Sequence, residues 1–116
     1  MNIEYNQIKD KFEVSRMTYE SKLKNQFTDE LFEAILLLKD IEECYRFFED
    51  ICTIKEIQAL SQRLKVAKLL RQNKTYNEIE DITGASTATI SRINRCLHYG
   101  ADGYTTILNR LDEKEE

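Results

Sequence analysis

The stretch Thr75–Leu97, TYNEIEDITGASTATISRINRCL, decides the reading of this chain. Thr75 followed three residues later by Glu78 is a capping-box pattern: the threonine hydroxyl accepts from an orphan backbone N–H, and the glutamate reaches back to the cap. The short helix that follows is expected to bury Ile79 and Ile82, three residues apart on one face. Gly84 takes a left-handed conformation without steric cost and so stops that helix. Ser86 or Thr87 can cap the next one. Ile90, Ile93 and Leu97 then recur at helical spacing and predict its buried stripe. At about 100° per residue, Ala88, Ser91, Arg92 and Arg95 fall on the far side, with Thr87 near its edge.

A second helix with that distribution suits direct reading of a DNA groove. Its first turn must approach base edges closely, which small residues allow. Ala88 and the methyl of Thr87 or Thr89 can touch a thymine methyl, and Thr89 and Ser91 can hydrogen-bond a base or phosphate. Arg92 and Arg95 can reach guanine or the backbone. Lys74 and Asn77, at the entry to the first helix, complete the set of candidate DNA contacts. An ordinary helical hairpin with a polar outer face has the same local spacing. Glu80, where such first helices often carry a small packing residue, points to a different crossing of the two helices.

Charge supplies an independent signal. The chain carries a net charge of −4, which alone argues against a DNA partner. Residues 55–98, however, carry 8 basic and 4 acidic side chains, a balance of +4, between flanks at −5 and −3. Positive charge confined to the hairpin and the helix leading into it is the footprint expected on phosphate.

Beyond the hairpin, Glu43–Thr53 (ECYRFFEDICT), Ala59–Arg71 (ALSQRLKVAKLLR), Thr75–Glu80, the string GASTATISR at Gly84–Arg92 and the tail Tyr99–Tyr104 together resemble the Trp repressor superfamily. The chain looks most like its small YerC/YecD-type members, over roughly Thr28 to Leu111. The resemblance implies an all-α helical bundle containing a helix-turn-helix, an intertwined homodimer, and double-stranded DNA as partner. By it, Thr87, Ala88, Thr89 and Ser91 match positions that face DNA. Trp repressor holds its amino acid between two arginines. Arg92 matches one of them directly, and Arg63 matches the other if one residue is deleted between them. The position after the second arginine is glycine in Trp repressor and Ile93 here, a side chain that would fill the space of the indole ring. Free tryptophan is therefore not expected as a ligand, and a different small effector, or none, is left open.

A chain of 116 residues supports one domain, expected at 21–111, with the helix-turn-helix at 75–98, a partly disordered or loosely helical segment at 1–20 and an acidic tail at 112–116. A chain this small buries only a modest core, so dimerisation would help. There is no proline and a third of the residues are charged, both of which favour helices. Thr28-Asp29-Glu30 reads as the start of a helix with Leu31, Ile35 and Leu38 on one face. A further segment carries Ile41, Tyr45, Phe48 and Ile51, whose aromatics could pack within the chain or across a dimer. Thr53 with Glu56 is a second capping box and opens a helix whose stripe is expected at Ile57, Leu60, Leu64 and Ala67. Gly100 and Gly103 bracket the turn into a closing helix expected at Tyr104–Leu111.

No apolar run reaches the roughly 20 residues of a membrane span, and the amino terminus lacks the apolar region of a secretion signal, so a cytoplasmic location is expected. Cys44, Cys52 and Cys96 have no close metal spacing with His98 and read as reduced structural thiols. No Ser/His/Asp set, phosphate-cradling glycine loop or metal-binding histidine pair is present, so neither an enzyme nor a cofactor or metal is expected. Another class of function fits the same pattern: a helical dimer acting through protein contacts, with the helix-turn-helix as scaffold.

Overall fold

The computed structural model describes residues 18–115, which hold six α-helices and no strand. They are α1 (Gln26–Ile35), α2 (Ile41–Ile51), α3 (Ile54–Arg71), α4 (Tyr76–Thr83), α5 (Thr87–Tyr99) and α6 (Gly103–Glu115). The all-α expectation holds. The loosely ordered segment expected at 1–20 lies almost wholly outside the described residues. Packing divides the chain into one unit ending at Phe48 and another beginning at Glu49, a boundary inside α2.

In the first unit, α1 begins two residues before the expected Thr28 start. Its cap is Asn25, whose side chain accepts from the Thr28 N–H at 2.9 Å. Asn25 is extended there, and asparagine is a strong N-cap because its short side chain reaches the orphan N–H groups. Asp40 caps α2 in the same way, accepting from the Glu43 N–H at 2.8 Å, while the Glu43 carboxylate accepts from the Lys39 N–H. Leu31, Ile35 and Leu38 are half-buried, but Phe27, Leu36, Leu37, Ile41 and Tyr45 stand exposed. Phe47 and Phe48 meet edge to face with ring centroids 5.5 Å apart.

The second unit contains the apolar core: Val66, Ala67, Leu69, Ile79, Ala85, Ile90, Ile93 and Leu108, flanked by Leu70, Tyr76, Leu97, Tyr104 and Leu111. Helices α4, α5 and α6 all pack on α3. The α3 capping box forms as expected, with Glu56 N–H donating to Thr53 Oγ1 and Thr53 N–H to Glu56 Oε1. The buried stripe of α3 does not lie where the 3-4-3 spacing predicts. Leu60 and Leu64 are exposed, and the core takes Val66 and Leu69 instead. The reason is that α3 has two apolar faces. At 100° per residue, Gln62, Val66 and Leu69 lie within about 60° of one another, and Ile57, Leu60 and Leu64 lie on the opposite side. Within the chain only the first face is covered, apart from Ala67.

The α3 terminus is a Schellman turn. Asn73 N–H donates to Leu70 O and Lys74 N–H to Leu69 O, with Asn73 in the left-handed region at φ 61°. Gly100 is required by close approach: a Cβ there would sit 2.5 Å from the Cys96 carbonyl oxygen. The closing helix is longer than expected, running to Glu115 rather than Leu111. Its last two turns are tied to α3 by Arg71–Asp112 at 3.2 Å and Lys68–Glu115 at 3.3 Å. Those pairings lie 41 and 47 residues apart in sequence, which local periodicity cannot reveal. Among the described residues no helix is long and apolar enough to cross a membrane, and no cluster of three potential metal ligands occurs.

Candidate nucleic-acid interface

The α4–α5 hairpin forms by the local rules its sequence contains. Thr75 Oγ1 accepts from the Glu78 N–H at 3.2 Å, and a Glu78 carboxylate oxygen accepts from the Thr75 N–H at 2.8 Å. Gly84 stops α4 at φ 73°, its N–H donating to Glu80 O at 2.8 Å. Of the two possible caps for α5, Ser86 is used: its hydroxyl accepts from the Thr89 N–H at 3.2 Å. Ile79, Ile90 and Ile93 are buried and Leu97 packs beside them. Ile82 does not follow: it is 57 % exposed. In an eight-residue helix the face toward α3 and α5 is occupied by Ile79, with Ala85 just beyond the turn. Glu80 is also exposed, so its carboxylate does not obstruct that packing.

Burying Ile90 and Ile93 turns the other side of α5 outward. Thr87, Ala88, Ser91, Arg92 and Arg95 are all exposed. Ala88, Ser91, Arg92 and Arg95 make a strip at spacings of three and four along one helix face. Thr89 stands apart: it is half-buried, and its Oγ1 accepts from Ser86 Oγ at 3.1 Å. Lys74 in the preceding turn and Asn77 in the first turn of α4 are exposed.

The electrostatics of the strip favour an anion. The first turn of α5 has no acidic side chain, so the partial positive charge of the helix N-terminus is uncompensated. Among the described residues, Lys74, Arg92 and Arg95 have no carboxylate partner within 4 Å, whereas Lys68 and Arg71 are paired with α6. His98, in the last turn, has its Nδ1 2.8 Å from Asn94 O, which fixes the proton on that nitrogen. Cys96 is exposed and Cys44 and Cys52 are half-buried; all three are free thiols.

The two candidate effector arginines are both exposed, Arg63 on α3 and Arg92 on α5. A cleft of about 410 Å³ lies between α3, α5 and α6, lined by Leu64, Cys96, Gly100, Tyr104 and Ile107 among others. Neither arginine lines it. Burial raises the Tyr104 phenol above its ordinary pKa; the nearby Cys96 acts in the same direction and the Arg63 guanidinium opposes both. Ile93 is enclosed in the core at 2 % exposure, its side chain fully used in packing.

Known proteins share this architecture. Residues 26–112 match the sequence model for Trp repressor protein. The uncharacterized protein YerC of Bacillus subtilis (strain 168) is 61 % identical over 94 residues, covering 81 % of this chain and 90 % of YerC. The crystal structure of a TrpR-like protein from Eubacterium eligens superposes with a TM-score of 0.77 at 59 % identity, over 80 % of this chain and 96 % of that one. A Staphylococcus aureus structure, solved as a candidate Trp repressor, gives 0.76 at 57 % identity, over 84 % and 96 %. With its fold, its hairpin and most of its length matched, the chain belongs to the Trp repressor family.

Proposed function

We propose that this protein is a DNA-binding transcriptional regulator, acting as a repressor, that docks as a homodimer on palindromic double-stranded DNA with α5 in the major groove. The observation that carries this reading is the outer strip of α5: small residues at its start, arginines farther along, no carboxylate in its first turn, and a capped, core-anchored hairpin behind it. The contacts we assign are Thr87, Ala88, Ser91, Arg92 and Arg95 on α5, with Lys74 and Asn77 on phosphate. Thr89, half-buried and bonded to Ser86, serves mainly to order the first turn. The dimer is supported by the uncovered apolar faces of α1, α2 and α3. Two α5 helices spaced about one DNA turn apart, roughly 34–36 Å, would select a site with twofold symmetry. A regulator of this family needs no catalytic group, and no cofactor enters the mechanism. Free tryptophan does not bind, because Ile93 stands where the indole would need room. A thermal-shift series with amino acids checks this, and stabilisation by tryptophan would overturn it.

The main test is fluorescence anisotropy with duplex DNA across a salt series. The wild-type chain should bind with a steep salt dependence. Reversing Arg92 and Arg95 to glutamate should abolish that binding, since each lost phosphate contact flattens the slope of log K against log salt by about 0.9. Unchanged affinity in the double variant would sink the reading. It would favour a helical dimer that works through protein contacts, and competition with structured RNA separates a third class of partner.

A further inference from the structure

We infer that Gln62 is a positioning residue for α5, a side-chain clamp that sets the angle at which the hairpin is presented; this rests on the DNA-binding reading above. Gln62 is half-buried on the face of α3 that also carries Val66 and Leu69. Its Nε2 donates to the Thr83 carbonyl oxygen at 3.1 Å, across 21 residues of sequence.

That carbonyl is the last of α4, one of the four acceptors that a helix C-terminus leaves without an internal donor. The other groups of the turn are settled locally. Gly84 N–H donates to Glu80 O, Thr83 Oγ1 donates to Ile79 O at 2.7 Å, and Ala85 N–H donates to Thr83 Oγ1 at 3.1 Å. The Thr83 backbone carbonyl is the point at which this network is handed to another helix. Among the described residues it is also the point where a hydrogen bond joins α3 to the hairpin; the Lys68 and Arg71 pairings join α3 to α6 instead. Everything else that holds the hairpin to α3 is apolar contact through Ile79, Ala85, Ile90 and Ile93. Apolar contact is non-directional and fixes an angle weakly. A hydrogen bond fixes donor and acceptor to a few tenths of an ångström.

The angle matters because α5 is a lever. Arg95 lies eight residues beyond Thr87 and so about 12 Å farther along the axis. A tilt of roughly 10° about the Thr83–Ala85 turn would displace Arg95 by about 2 Å, more than a base-edge hydrogen bond tolerates. It would hardly alter the Coulomb attraction of the strip for phosphate. Removing the clamp should therefore lower discrimination between sites and leave non-specific binding intact.

The experiment uses the full-length chain, a duplex selected from a random library by the wild-type protein, and an unselected duplex at low salt. Gln62→Met keeps the shape and helix propensity and lacks the donor; Gln62→Ala is the second variant, in case the first repacks. We expect about a tenfold loss of affinity for the selected duplex, unchanged affinity for the unselected one, and faster amide exchange at Gly84 and Ala85 but not at Ile93. Variants that discriminate as well as the wild type overturn the clamp, whether or not the turn exchanges faster. A wild-type chain that binds no duplex fails the DNA reading itself, a result visible before any variant is made.

Discussion

The α4–α5 hairpin encloses Ile79, Ile90 and Ile93, while α1 and α2 leave Phe27, Ile41 and Tyr45 in solvent, Ile41 at 77 % exposure. Both regions are amphipathic and both are capped by side chains at their starts. The difference lies in what receives their apolar faces. The hairpin meets the Val66–Leu69 face of α3 within its own unit. The exposed residues of α1 and α2, like Leu60 and Leu64 on the other face of α3, meet no cover of comparable extent. A monomer that exposes so much contiguous apolar surface is poised for association. The hairpin is thus stabilised by the chain alone, and the remaining apolar surface is what the proposed dimer would bury.

Ile90→Ala should produce the largest effect. Ile90 is fully buried, and deleting its side chain leaves a cavity costing about 2–5 kcal/mol. A fall of that size in the urea midpoint, equal at micromolar and at hundred-micromolar protein, would place the loss inside one chain. A concentration-dependent fall would break the comparison, because it would put Ile90 in an intermolecular contact.

Leu64→Ser should come next and behave in the opposite way. Leu64 is exposed in the single chain and lines the cleft with Tyr104 and Ile107. If a second copy covers it, its removal should weaken association by about 1.5–3 kcal/mol per protomer. Sedimentation equilibrium would show a dimer shifting toward monomer while far-UV circular dichroism stays the same. Identical masses for variant and wild type would remove this face of α3 from the proposed interface.

The same contrast explains what the sequence made legible. Capping boxes at Thr53 and Thr75, the Gly84 stop and the Ser86 cap are contacts over three or four residues, and each formed where the residue types predict it. The outward strip of α5 followed from its buried stripe. Periodicity names a face but not its occupant, so the Ile57–Leu60–Leu64 face was read as core when the chain covers the other one. Ile82 was misplaced for the same reason: spacing pairs it with Ile79, yet a short helix packs only part of its circumference. The tethering of α6 through Asp112 and Glu115, and the Gln62–Thr83 bond, join residues 21 to 47 positions apart and leave no local signature. Thr89 illustrates a finer limit, since its engagement with Ser86 depends on which of two neighbouring hydroxyls takes the cap.

The smallest expected effect concerns the start of α3, which both regions share as a neighbour in sequence. Hydrogen bonding from the Thr53 backbone N–H, then from its side chain, holds the Glu56 carboxyl below its ordinary value of 4.5, with burial opposing weakly. A depressed folded-state pKa means that ionised Glu56 favours the fold. That contribution is present above the unfolded pKa and is lost as pH falls through the lowered folded value. Glu56→Gln keeps the length of the capping side chain and removes its ionisation. The wild type should therefore be slightly more stable than the variant at pH 7, and the gap should close in acid below pH 4.5. Urea midpoints of both proteins across that range read this directly. A gap of constant size would mean that the capping box at Thr53 works through shape and hydrogen bonding alone, without help from charge at the N-terminus of α3.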